Sequence, residues 1–223
     1  MKTIFFHGPR DKKKIALTFD DGPCKITLEI LKILKKENVP ATFFVLGKKI
    51  KGNENILKQM IKQNCEIGNH TYNHADLMFK TPKIIKKELI DTDKELKKLN
   101  IKTKLMRCPY FRCSLIAFLI AKQLNKKIIF ADIDSNDWKK PGKNSIVEKV
   151  LRKAKNGSII DFHDYLEGIG ENKEVIPAIK EIIPKLKAQG YKLITVSKII
   201  AYANIKSRLP EIYEYIDQQK IFK

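Results

Sequence analysis

Short β-branched or aromatic runs alternate along the chain with longer stretches in which apolar residues recur every three or four positions. That alternation is the rhythm of an α/β fold. Runs at 15–19, 41–45, 66–68, 104–107, 128–131, 158–162 and 191–195 predict seven strands, a number that suits a closed barrel. Between them, Ile26, Ile30, Ile33 and Leu34 mark one helical stripe, and Ile56, Leu57, Met60 and Ile61 mark a second. A third helix opens with Thr81 as N-cap and Pro82 as its first residue, then runs through Ile84, Ile85, Leu89, Leu96 and Leu99. Further helices are expected over 114–124, 145–154 and 174–189, the last broken at Pro184 and stopped by Gly190. Pairs such as Ile84–Ile85 read as core. The organisation expected is an N-terminal extension over 1–13, one α/β domain over 14–203 and a helical tail over 204–223.

Composition narrows the class. Of the 223 residues, 43% are hydrophobic and 31% charged, a globular balance that excludes a disordered chain. No run approaches the ~18 consecutive apolar residues of a membrane span, because lysines interrupt each one. Only Ile4, Phe5 and Phe6 are consecutive apolar residues near the start, so no secretory h-region is read there and the chain as given is expected to be cytoplasmic. The net charge of +20 raises nucleic acid as a partner. Its make-up argues otherwise: five of the 45 basic residues are arginine, the fork suited to phosphate and base edges, and the lysines are spread along the whole chain. A solvated lysine-rich surface is the expectation. Cys24, Cys65, Cys108 and Cys113 form no CxxC pair and read as reduced thiols, although Cys108 and Cys113 are near enough to bridge if their loop folds back.

Parallel strands of an α/β barrel present functional groups at their C-terminal ends, and the residues there are chemically rich. Thr-Phe-Asp-Asp-Gly-Pro at 18–23 follows the first strand, with two adjacent carboxylates. His-Thr-Tyr-Asn-His at 70–74 follows the third, and its i, i+4 spacing places two imidazoles on one face of a helical turn, a metal-ligand spacing. With Asp21 added, His70 and His74 form a two-nitrogen, one-oxygen set suited to Zn²⁺ with positions left open for water and substrate. Arg-Cys-Pro-Tyr at 107–110, Asp-Ser-Asn-Asp-Trp at 134–138 and Asp-Phe-His-Asp at 161–164 follow later strands.

The order of these five motifs resembles the polysaccharide deacetylases of carbohydrate esterase family 4, over roughly residues 14–203. The resemblance implies a distorted (β/α)7 barrel and a metal-dependent hydrolase that removes N-acetyl groups from N-acetylglucosamine-containing oligo- or polysaccharides. By the same resemblance, Asp21, His70 and His74 bind a divalent metal, most often Zn²⁺, with Co²⁺, Ni²⁺ and Mn²⁺ also compatible. Asp20 is then the general base, held by a bidentate contact from Arg107, and the backbone N–H of Tyr110 faces the oxyanion. His163 is the general acid, with Asp137 raising its pKa. Tyr110, Trp138 and Asp161 are the expected substrate contacts, Trp138 being either an apolar wall beside the acetyl group or a plain core tryptophan.

Two residues depart from the family pattern. Asp161 stands where a leucine usually lines the acetyl pocket; it either points at the site, changing the acyl group or amide accepted or raising the His163 pKa further, or it points outward or pairs with a lysine and changes nothing. Phe111 follows the Arg-Cys-Pro-Tyr motif where glycine is common, and it narrows the groove above Tyr110. Cys24 is a conceivable further soft ligand, although the set is complete without it. Two other functions remain open at this point: hydrolysis of cyclic amides or imides on the same fold, and a catalytically silent basic module that grips polysaccharide or nucleic acid.

Overall fold

The computed structural model describes residues 3–201, so the helical tail expected over 204–223 lies outside them. Its strands are β1 (Ile4–Phe5), β2 (Lys14–Asp20), β3 (Thr42–Val45), β4 (Glu66–Asn69), β5 (Leu105–Met106), β6 (Lys127–Ile129), β7 (Ile133–Asp134), β8 (Ile159–His163), β9 (Tyr165–Leu166), β10 (Gly170–Glu171) and β11 (Lys192–Leu193). Its α-helices are α1 (Lys25–Glu37), α2 (Glu54–Lys62), α3 (Pro82–Lys98), α4 (Leu115–Gln123), α5 (Lys143–Lys153), α6 (Val175–Ala188) and α7 (Val196–Ile200). The large sheet runs β1-β6-β5-β4-β3-β2-β8-β7, with β11 added beside the start of β2. Every pairing in it is parallel. The curled parallel sheet with its helices is a distorted (β/α)7 barrel, and the described ladder is open between β1 and β7.

All seven expected strands are present, as β2 to β6, β8 and β11. Ile4–Phe5, within the stretch read as an extension, pairs with Ile128 and Ile129 of β6 and is buried, and Phe6 stacks on Phe130 at 4.7 Å. Two helix expectations need correction. Helix α6 continues through Pro184, where the carbonyl that loses its partner belongs to Lys180 on the exposed face of the helix, open to solvent. Ile61 and Ile84 are 50% and 42% exposed, each at the edge of an apolar stripe rather than its centre.

Strand periodicity of two explains where the chemistry sits. In β2, Ile15, Leu17 and Phe19 join the core packed under α1, α5 and α6, while Ala16, Thr18 and Asp20 face the other way. In β8, Ile160 and Phe162 face that same core, and Ile159, Asp161 and His163 face the interior. The lower interior is apolar, filled by Phe5, Ala16, Phe44, Leu105, Ile129 and Ile159. Moving up each strand replaces this layer by polar residues, and the register sets Thr18 beside Asp161 and Asp20 beside His163.

Candidate active site

The upper interior opens into a cavity of about 490 Å³ whose lining includes Asp20, Asp21, His70, His74, Asp161 and His163. Beyond β2 the backbone turns at Asp21, with φ of 75°, into a Gly-Pro turn, which reverses the carboxylate toward the 70–74 segment. That segment is a loop and not the helical turn predicted from its spacing. Thr71 and His74 take positive φ (67° and 62°), a conformation incompatible with helix. Buried Glu88 of α3 holds the loop, accepting the backbone N–H groups of Tyr72 (2.8 Å) and Asn73 (2.7 Å) and the Asn73 side-chain amide (2.8 Å). Nothing in the local sequence singled out Glu88, since its partners are distant in the chain.

The loop nonetheless brings the two imidazoles together on Asp21. Oδ1 of Asp21 lies 3.4 Å from His70 Nε2 and 3.2 Å from His74 Nε2. His70 Nδ1 is 2.9 Å from the Arg107 carbonyl, an arrangement that turns Nε2 toward Asp21. Asp21 Oδ1 is buried without a hydrogen-bond partner. Burial alone would raise the Asp21 pKa, but the facing imidazoles outweigh it and lower it to about 2. Burial and the neighbouring His70 lower His74 to about 4. An ionised carboxylate with an orphaned oxygen and a neutral imidazole are the forms a divalent cation requires, and the three donor atoms lie within 4.8 Å of one another. The residues fit a metal ion. Cys24 is not part of this group: it precedes α1, its Sγ donates to the Asp164 carbonyl at 3.3 Å, and burial pushes its pKa up to about 11.

Beside the Asp-His-His group, Arg107 is fully buried with its guanidinium 4.2 Å from the Phe44 ring centre. One nitrogen, Nη1, donates to Asp20 Oδ1 (2.8 Å), Asp161 Oδ1 (2.6 Å) and Thr18 Oγ1 (2.8 Å). Nε donates to the Ile129 carbonyl, and Nη2 is buried without a partner. The expected bidentate contact with Asp20 is therefore replaced by a single shared one, because Asp161 draws the same nitrogen. Asp161 faces the cavity and pairs with this arginine rather than with a surface lysine. Burial and the adjacent Asp20 raise its pKa well above the ordinary carboxylate range.

Across the cavity, His163 Nδ1 is 2.8 Å from Asp137 Oδ1, while Oδ2 of the same carboxylate accepts the His163 backbone N–H at 2.7 Å. Burial disfavours the imidazolium, yet Asp137 and Asp161 outweigh it and hold the His163 pKa well above its usual value. Asn172, which the motifs do not include, donates to Asp137 Oδ2 at 3.0 Å and to the His163 carbonyl at 3.1 Å, fixing both.

The rim is aromatic. Tyr110 and Trp138 are 60% and 46% exposed, so Trp138 is no core tryptophan; its Nε1 donates to Asp134 Oδ2 at 3.3 Å. Tyr110 and Phe111 both take positive φ (58° and 53°), and the Tyr110 hydroxyl is 3.2 Å from His74 Nδ1. Phe111 lines the cavity and packs toward Phe130. Cys108 and Cys113 on either side of this turn are free thiols.

With this geometry in hand, comparison with known proteins decides the family. A polysaccharide deacetylase family model matches residues 7–129. The chain belongs to the polysaccharide deacetylase family. Among its members, a peptidoglycan-N-acetylglucosamine deacetylase of Bacillus cereus is 34% identical over 202 residues, covering 89% of this chain and 93% of that protein. The peptidoglycan-N-acetylmuramic acid deacetylase PdaC of Bacillus subtilis is 37% identical over 191 residues, which span 85% of this chain and 39% of that longer protein. The crystal structure of the Bc1960 peptidoglycan N-acetylglucosamine deacetylase superposes with a TM-score of 0.85 at 33% identity, covering 90% of this chain and 94% of that one. No described helix is long and apolar enough to cross a membrane.

Proposed function

We propose that this protein is a metal-dependent N-deacetylase that hydrolyses the N-acetyl groups of N-acetylglucosamine-containing oligo- or polysaccharides, releasing acetate and leaving a free amine on the glycan. The observation that carries this reading is the placement of two hydrogen-bonded pairs, Asp20 with Arg107 and His163 with Asp137, around one cavity beside the Asp21-His70-His74 group. A silent binding module has no use for a base and an acid held on either side of one cavity.

An amide is a poor electrophile. A divalent ion held by Asp21, His70 and His74, with Zn²⁺ the best match to two imidazoles and a carboxylate, supplies Lewis acidity that lowers the pKa of water and polarises the carbonyl. Asp20 takes the proton of the attacking water, and its contact with Arg107 aims it. The backbone N–H of Tyr110 donates to the oxygen on which negative charge develops. His163, kept cationic by Asp137, delivers its proton from Nε2 to the departing amine. Tyr110 and Trp138 at the rim offer aromatic faces to sugar rings, and Asp161, which lines the cavity, meets the acyl group.

The test is acetate release from N-acetylglucosamine oligomers by protein stripped with chelator and reloaded with Zn²⁺, beside Asp20→Asn. Activity that returns with Zn²⁺ and falls ~10²–10⁴-fold in Asp20→Asn, with metal content unchanged, is the expected result. Stoichiometric metal without acetate release would overturn the substrate assignment.

A further inference from the structure

We infer that Asp161 selects the acyl group, and that the preferred substrate carries an α-hydroxyacyl amide, N-glycolyl, in place of N-acetyl. The inference rests on the N-deacylase reading above and refines its substrate.

The position of the acyl substituent follows from the groups that must act on the amide. The carbonyl carbon lies beside Asp20, and the amide nitrogen lies beside His163 Nε2. Asp161 lines the cavity next to both groups: one ligand atom from each of Asp20, Asp161 and His163 falls within 4.8 Å of the others. The group attached to the carbonyl carbon is therefore set down against Asp161.

Asp161 is 1% exposed and polar on the face it turns to this space. Its Oδ1 is committed to Arg107 Nη1 at 2.6 Å, with the Thr18 hydroxyl at 3.5 Å. Its Oδ2 lies 3.7 Å from His163 Nε2, longer than a hydrogen bond, and so keeps acceptor capacity for a donor that enters the cavity. A methyl group placed there displaces water from a buried carboxylate and returns no hydrogen bond, an unfavourable exchange. A hydroxyl on the same carbon donates to Oδ2 and restores the bond. The reaction stays balanced as simple hydrolysis. The C–N bond breaks, the oxygen of water joins the carbonyl carbon, and the amine gains a proton. The products are glycolate and the free amino sugar.

The experiment compares N-acetyl-, N-glycolyl- and N-propionyl-glucosamine oligomers of equal length with Zn²⁺-loaded wild type, Asp161→Leu and Asp161→Asn. Free acid and free amine are measured as kcat/KM. Wild type is expected to favour glycolyl over acetyl by ~10–100-fold, the cost of leaving a buried polar atom without its hydrogen bond. Propionyl, similar in size but without the donor, should fall below glycolyl by a like factor. Asp161→Leu should reverse the order, and Asp161→Asn should narrow it. Binding of the acetyl and glycolyl oligomers to metal-free wild type, where nothing turns over, gives an independent readout, and tighter glycolyl binding is expected. Acetyl turnover equal to or above glycolyl in wild type would overturn the inference while leaving the deacetylase reading intact, and equal propionyl and glycolyl rates would show that size decides. Metal-loaded wild type that hydrolyses none of the three would overturn both.

Discussion

At the scale of single residues, the site is organised by two carboxylates that restrain their partners in different ways. Asp137 spends both oxygens on His163 and Asn172, so its influence on the imidazole is direct and geometrically fixed. The sign of its effect on activity follows. If His163 is the general acid proposed above, it acts in its protonated form, and because its pKa is raised, activity should persist to higher pH than an ordinary histidine allows and fall as the imidazolium loses its proton. Asp137→Asn removes the principal charge that raises this pKa. The alkaline limb of the kcat/KM profile should therefore move to lower pH, whereas a merely structural loss would lower the profile without displacing it. These motif residues were all legible in the sequence, because each sits within a few positions of a strand end. The sharing of one arginine nitrogen was not: it depends on Thr18, Asp20 and Asp161 meeting from two adjacent strands and Arg107 reaching them from a third element.

At the scale of elements, the 70–74 loop shows how side chains expected to meet can converge through a local structure other than the expected one. The i, i+4 spacing suggested a helical turn, yet the imidazoles converge through two left-handed residues and a clamp from α3. Spacing limits how far apart two side chains are, whereas the backbone path between them was decided by Glu88 packing in from elsewhere. Glu88→Gln keeps the volume and turns an acceptor pair into one acceptor and one donor, which leaves one loop N–H poorly paired. Zinc affinity, measured by competition with a chromophoric chelator, should drop ~10–100-fold, as outer-shell losses do, without loss of the helical signal. Helix α6 fails in the other direction: Pro184 carries a strong local penalty that an exposed helix face absorbs. Amphipathic periodicity located α1, α2 and α3 well, but it could not tell Ile84 from Ile85, adjacent residues of which the first is 42% exposed and the second buried.

At the scale of the whole molecule, the fold class was readable from alternation alone, while the sheet's margins were not. The expected runs at 104–107 and 191–195 led to the short strands β5 and β11, whereas β1 and β7 emerge only from pairing. Strand β1 is substantial in energy despite its length, since Ile4, Phe5 and Phe6 are all buried and Phe5 belongs to the cluster that fills the barrel interior. Phe5→Ala should cost ~3–5 kcal/mol, read as a lowered urea midpoint with an unchanged slope. A surface residue in a loose extension would cost far less. Of the arginines that contribute to the charge of +20, Arg107 is spent inside the barrel.

The pairing of Ile4 with Ile128 also governs when this protein can acquire its shape. Strand β1 must wait for a partner encoded far downstream, and β2, which pairs early with β3, gains β8 and then β11 only near the end of the described chain. Such long-range partnerships make loop closure, rather than helix formation, the slow event in folding. During synthesis, Ile4, Phe5 and Phe6 thus emerge as an unpaired apolar segment and find shelter only after the residues of β6 have left the ribosome.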